Sequence, residues 1–265
     1  MGELFRALAR AIRENEPVAL VTQVQGPNPG SKLLVREDSH EGTLGDEGLD
    51  ASVVEQARAA IDMATTTTRT FGPQGQLVGE DVEVFIQAFS QPPEMLVFGA
   101  VNLANAVVNI GKFLGYHVTL VDARRVFATR DRFPNADEIV VQWPDEFLAE
   151  HPVIRRTAIC ILTHDQKFDI PLLKIALDTP AGYIGAMGSR KTHQKRADTL
   201  REEGVPDEKI DRIQAPLGLD IGAHTPEEVA VGIAGQIIAM RNGRQGGFLK
   251  GGKGRIHADA VPATA

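Results

Sequence analysis

Cysteine is nearly absent: Cys160 is the single one in 265 residues. An internal disulfide framework and a multi-thiolate zinc site are therefore excluded. Aromatic residues are scarce at 5%, with one Trp and two Tyr, and five Met give no sign of a partner groove. No apolar run approaches the ~20 residues needed to cross a bilayer, so no membrane span is expected. Met1-Gly2-Glu3-Leu4-Phe5-Arg6 lacks the charged and apolar regions of a signal peptide. A reducing cytoplasm is the expected setting. Excess positive charge is missing too. The net charge of -7 argues against broad nucleic-acid binding, which needs a basic footprint. A local basic patch for an anionic small molecule stays open.

What is present suits a soluble globular protein. Hydrophobic content is 43% and charged content 24%, enough for a core without staples. The length allows one large or two modest domains. Leu4, Phe5, Leu8 and Ile12 recur at helical spacing and predict a helix over 3–14. The β-branched run 18–24 predicts a strand, as do 33–35, 65–70 and 82–86. Glycine-containing segments at 26–30 and 42–48 read as loops, and a second helix is expected over 51–64. This first region, residues 1–90, is a small α+β domain. Gln91-Pro92-Pro93 marks the boundary, because prolines stiffen a linker and break regular structure.

After the prolines the pattern becomes strict strand–helix alternation. Residues 95–98, 118–121, 139–141 and 158–162 are uninterrupted apolar runs, suited to strands buried on both faces of a parallel sheet. Leu103, Val107, Ile110 and Leu114 mark one helix face. Thr225-Pro226-Glu227-Glu228 carries the signals of a helix start, and that helix is expected to reach about Met240. Residues 94–243 thus predict a doubly wound α/β domain. The tail, 244–265, is Gly- and Lys-rich and reads as a flexible or partner-bound extension.

Polar residues and glycines cluster after the apolar runs, where ligands bind in an open parallel sheet. Gly99-Ala100-Val101-Asn102 lies at a strand-to-helix turn, and Asp122 follows 23 residues after Gly99. That is the layout of a dinucleotide fingerprint. Val101, however, stands where a bare backbone should approach the pyrophosphate, so NAD(P) is not expected there. Thr163-His164-Asp165 offers a general base or a ligand-orienting group; equally, Asp165 caps the next helix. Gly188-Ser189-Arg190-Lys191 opens a helix also bearing Lys195 and Arg196. It reads as a phosphate site or as a solvated basic face. Asp220 and His224 are polar candidates in a glycine-rich loop, which alternatively serves only as a tight connection. Cys160, mid-strand, reads as core rather than nucleophile.

Together, Gly182-Tyr183-Ile184-Gly185-Ala186-Met187-Gly188-Ser189-Arg190, Thr163-His164-Asp165 and Gly218-Leu219-Asp220-Ile221-Gly222-Ala223-His224-Thr225-Pro226-Glu227-Glu228 resemble the XdhC/CoxF family. These are maturation factors for xanthine dehydrogenase and CO dehydrogenase. The resemblance covers about 94–241. Segments 29–35 and 42–44 look like the family's N-terminal domain. The resemblance implies a Rossmann-like C-terminal domain and a non-enzymatic chaperone for the molybdenum cofactor, molybdopterin or its dinucleotide form. It further implies a molybdenum hydroxylase apo-enzyme as partner, a sulfurtransferase as a further one, and a homodimer. The cofactor-binding residues expected are Gly99, Asn102, Asp122, His164, Asp165, Gly188, Ser189, Arg190 and Asp220. No catalytic residue and no metal ligand is expected.

The family usually carries a Gly-Gly-Cys loop. Here Gly48 stands where the cysteine would fall, and the soft sulfur ligand is missing. The Ser/Pro/Arg-containing loop is shortened at Gly26–Gly30. Two other functions therefore stay in view: an NAD(P)-dependent oxidoreductase, which would want Gly at 101, and a scaffold that has lost cofactor handling.

Overall fold

The computed structural model describes residues 2–14, 16–77, 79–163 and 165–251. The chain divides into two compact units, Met1–Pro92 and Pro93–Ala265.

The first unit opens with α1 (Glu3–Arg13) and continues through β1 (Val18–Gln25), β2 (Lys32–Val35), β3 (His40–Thr43), α2 (Glu47–Asp62), β4 (Thr67–Phe71) and β5 (Val82–Phe89). The strands form one sheet in the order β3-β2-β1-β5-β4, and each pairing is antiparallel. Alternation along β1 sends Ala19 and Val21 to one face, where α2 covers them with Val53, Ala57 and Ile61. Val18 points the other way and packs with Leu8 and Ala11 of α1. Two elements differ from the sequence expectation. β3 lies in a segment read as loop; its residues are all exposed, so no apolar alternation announces it. α2 starts four residues early because Asp46 accepts a hydrogen bond from the Leu49 amide and caps it.

The second unit runs β6 (Glu94–Phe98), α3 (Asn102–Phe113), β7 (His117–Val121), β8 (Glu138–Val140), α4 (Pro144–Glu150), β9 (Ala158–Ile161), α5 (Gln166–Asp178), β10 (Tyr183–Ala186), α6 (Arg190–Glu202), α7 (Asp207–Ile210), β11 (Ile213–Gln214) and α8 (Pro226–Arg241). A 3-10 turn follows at Leu249–Gly251, and residues 252–265 of the tail lie outside the described residues. The sheet order is β11-β10-β9-β6-β7-β8, and every pairing is parallel. The expected parallel relation of 95–98 and 118–121 holds, with Met95 opposite Val118 and Phe98 opposite Val121.

The sheet is covered on both faces. Met95, Val97, Val118, Leu120 and Cys160 pack against α3 and α8. Leu96, Phe98, Val121, Ile159 and Ile161 pack against α4, α5 and α6. Residues 95–98 are fully buried, which is why the sequence there is apolar without alternation. Each such side chain contributes about 1.5–3 kcal/mol. The helix start at 225–228 is as expected: the Thr225 side chain accepts from Glu228, and the Glu228 carboxylate bonds back.

From β6 the chain winds outward through β7 and β8, then returns to the other side of β6 as β9. Its crossovers change face at that reversal, since α3 packs on one side and α5 on the other. A crevice must open at the carboxyl ends of β6 and β9.

Candidate functional site

Gly99 ends β6 at the reversal. Its φ is +104° and its amide donates to the Val121 carbonyl at 2.9 Å. A Cβ there would stand 2.9 Å from Thr163 Cγ2, so the two loops meet over a bare backbone. The next amide, Ala100, donates to Asp122 Oδ2 at 2.7 Å. Val101 then caps α3 in extended geometry with no side-chain hydrogen bond. Among the described residues, the Asn102 and Leu103 amides meet no acceptor. These are the free donors that make a helix N-terminus attractive to an anion.

A cleft of ≈ 390 Å³ opens on this helix end. Val101, Asn102 and Leu103 form one wall, Met187 and Gly188 beyond β10 another, and Pro216, Leu217, His224, Pro226 and Val229 the rest. Its character is apolar with a few polar points, as in small-molecule sites. The Gly218 loop is tied down by Gln236, whose Oε1 accepts from Tyr183 Oη at 2.8 Å and from Gly218 N at 2.7 Å. A larger groove of ≈ 570 Å³ lies elsewhere, between α5 and α6.

The expected residues divide by role. Gly99, Asn102, Asp122, Asp165, Gly188, Ser189 and Arg190 all follow the carboxyl ends of β6, β7, β9 or β10. Only Asn102 and Gly188 line the cleft. Asp165 accepts from the Lys167 amide and caps α5. Ser189 accepts from the Thr192 amide at 3.1 Å and caps α6. Arg190 and Asp220 are exposed and do not line the cleft. His164 lies outside the described residues.

Asp122 is buried and serves the turn itself. It accepts from Ala100, from the Arg124 amide at 2.8 Å, and from Arg124 Nε and Nη2 at 3.0 and 2.8 Å. Burial alone would raise its carboxyl, but these hydrogen bonds and the Arg124 charge outweigh burial and hold it below its usual value. A depressed carboxyl stabilises the fold above its unfolded value of about 4, and that contribution is lost as pH falls through the lower folded value. Asp122→Asn should therefore be less stable than wild type at pH 7. The gap between the two urea-unfolding free energies should close below pH 4; a pH-independent gap would contradict the assignment.

Sequence reasoning missed a buried pair beneath the rim. Arg196 of α6 and Asp169 of α5 are both fully buried, with Nη2 2.6 Å from Oδ2. The same Nη2 donates to the Met187 carbonyl at 3.1 Å, and the Thr163 hydroxyl donates to Asp169 Oδ1. The pair thus ties the loop after β9 to the loop after β10. The available signal was spacing: Arg196 and Leu200 are four apart, on the apolar side of α6.

Cys160 is fully buried in β9, and burial pushes its thiol up to about 12. A thiol-specific reagent should leave the native protein unmodified and label one site per chain on unfolding. Rapid native labelling would contradict the buried strand. Among the described residues no group of three or more His, Cys, Asp or Glu could hold a metal ion, and no helix is long and apolar enough to cross a membrane. In the first unit, Gly48 sits in the first turn of α2, and a Cβ there would stand 2.8 Å from the Gln74 carbonyl oxygen. The position is closed by backbone, so a side chain cannot enter without displacing the 72–75 turn.

Known proteins match this architecture. A family model described as the XdhC Rossmann domain matches residues 95–237, and one described as the XdhC and CoxI family matches 11–72. A protein of Escherichia coli K12 named uncharacterized protein YqeB is 27% identical over 259 residues, covering 93% of this chain and 48% of that protein. A Bacillus subtilis protein named as a probable xanthine dehydrogenase component is 28% identical over 162 residues, 61% of this chain and 47% of that one. The molybdenum cofactor insertion chaperone PaoD of Escherichia coli K12 is 32% identical over 85 residues, 32% of this chain and 27% of that protein. The chain thus spans about half the length, or less, of these curated relatives. A crystal structure described as a xanthine dehydrogenase from Bacillus halodurans shares the fold, with a TM-score of 0.61, 22% identity, and coverage of 90% of this chain and 67% of that one. With its Rossmann domain matched over more than half its length, the chain belongs to the XdhC and CoxI family.

Proposed function

We propose that this chain is a maturation factor that holds the molybdenum cofactor in the cleft at the start of α3 and delivers it to a molybdenum hydroxylase apo-enzyme. The observation that carries this reading is the cleft itself. It combines uncapped helix amides with walls of Met187, Leu217 and Val229. The amides of Asn102 and Leu103 suit the phosphate of a molybdopterin, and the apolar walls suit its planar ring system. Nothing in the described residues suits direct ligation of the metal, since the one cysteine is buried in β9. The metal would stay on the pterin sulfurs, and the protein would bind, orient and shield. The relatives named for xanthine dehydrogenase and for cofactor insertion support the same reading.

Delivery is tested by activation. A purified, cofactor-free molybdenum hydroxylase should gain activity faster with cofactor-loaded protein than with an equal amount of free cofactor. Equal rates would sink the delivery role while leaving binding open.

NAD(P)H is expected to bind weakly. Val101 caps α3 and lines the cleft, so its side chain stands where a pyrophosphate needs bare backbone. Val101→Gly should tighten binding in a fluorescence titration. Low-micromolar affinity in the wild type would instead favour an oxidoreductase.

A further inference from the structure

The carboxyl edge carries a second feature that the cleft does not use. Asp122 to Phe133, between β7 and β8, contains four arginines against two aspartates, a local excess of positive charge on a chain whose net charge is -7. Two of its guanidinium groups are held rather than free. Arg124 is clamped by Asp122 and lies over the Phe127 ring at 4.6 Å. Arg132 donates to the Phe127 carbonyl at 3.0 Å and lies 5.5 Å from the centre of that ring. Between them Val126 is 76% exposed and Phe127 41%. Arg125 is exposed and has no partner among the described residues.

Trp143 belongs to the same patch. Val121 and Val140 are register partners, so Arg124 and Trp143 each stand three residues beyond a paired strand end. The only tryptophan of the chain is 45% exposed and rests on Phe168, the ring centroids 5.3 Å apart.

The geometry points to this patch, Arg124, Arg125, Val126, Phe127 and Trp143, as a docking surface for an acidic protein partner. Three observations select a protein over a small ligand. Neither cleft of this unit is lined by these residues, so the side chains project instead of enclosing. Exposed Trp, Phe and Arg side by side are the residues enriched at protein interfaces. Arginines already fixed by rings and carbonyls lose little freedom on binding. The positive excess calls for a partner surface of opposite sign. The patch and the cleft leave the same edge of one sheet, so a partner seated here faces the cofactor. On the proposed function, that partner is the apo-hydroxylase.

The test measures affinity of the full chain for a purified, cofactor-free molybdenum hydroxylase of the same organism, alongside pterin retention. Arg125→Glu changes an exposed residue without a partner and leaves the core untouched. It should weaken binding about tenfold or more, and added salt should weaken the wild type more than the variant. Trp143→Ala should also weaken binding, with pterin retention unchanged in both. Unchanged affinity in both variants overturns the docking surface. Loss of pterin with unchanged affinity in Trp143→Ala overturns it too, and makes the indole a ligand platform. A wild type that retains no pterin but loses partner affinity on Arg125→Glu would defeat the cofactor reading and leave the docking surface standing.

Discussion

Arg196→Met is expected to destabilise the protein by about 3–5 kcal/mol, the usual cost of stranding one member of a buried ion pair. Both partners have no exposure, so solvent cannot rescue the Asp169 carboxylate. Thr163 would remain its hydroxyl donor, which is too little for a buried charge. Asp169→Leu should cost a similar amount by stranding the guanidinium. The double variant should be much more stable than the sum of the two singles implies, because no charge is then left unpaired. Urea unfolding of all four proteins closes the cycle. Additive effects would show that the pair is not coupled. The Met187 carbonyl is bonded to Arg196 and Met187 lines the cleft. Both singles should therefore retain less pterin than wild type even at temperatures where they stay folded.

Gly99→Ala carries the second large effect, about 2–4 kcal/mol from backbone strain together with overpacking. Its φ of +104° is a conformation for glycine, and the new Cβ would stand 2.9 Å from Thr163 Cγ2 and 3.2 Å from Thr163 N. Relief requires moving the turn that aims the start of α3 at the cleft. Thermal unfolding should report the loss of stability, and pterin retention should fall further than stability alone explains. A variant as stable and as loaded as wild type would mean that the close contact of the two loops is not needed.

Gly99 and Arg196 differ in how far sequence alone reaches them, and the same division runs through the molecule. The central strands are legible because burial on both faces leaves an unbroken apolar run, as at 95–98 and 158–161. The start of α8 is legible because its capping box is local, with donor and acceptor three residues apart. β3 is not, since an exposed edge strand has no apolar face to show. The early start of α2 is hidden by two glycines that flank its cap at Asp46. The Arg196–Asp169 pair joins residues 27 apart on two helices. A basic residue in a basic helix reads as solvated unless its apolar neighbours are weighed. Residues at the strand ends do lie at the expected edge of the sheet, yet Ser189, Asp165 and Asp122 spend their acceptors on local backbone. Sequence does not separate a polar residue that builds a loop from one that faces a ligand, because both follow a strand. The apolar lining of the cleft, Met187, Leu217 and Val229, comes from three distant segments and needs the fold.

The most direct measurement is the molybdenum and pterin content of the protein purified from a molybdenum-replete host, for wild type and for Leu217→Glu. Leu217 is half-buried in the cleft wall, and glutamate there adds a negative charge where the cofactor phosphate would lie. The account predicts pterin approaching one per chain in the wild type, with molybdenum present. It predicts strong depletion of both in the variant at unchanged thermal stability. Wild-type protein free of pterin, or a Leu217→Glu variant loaded to the same level, would contradict it.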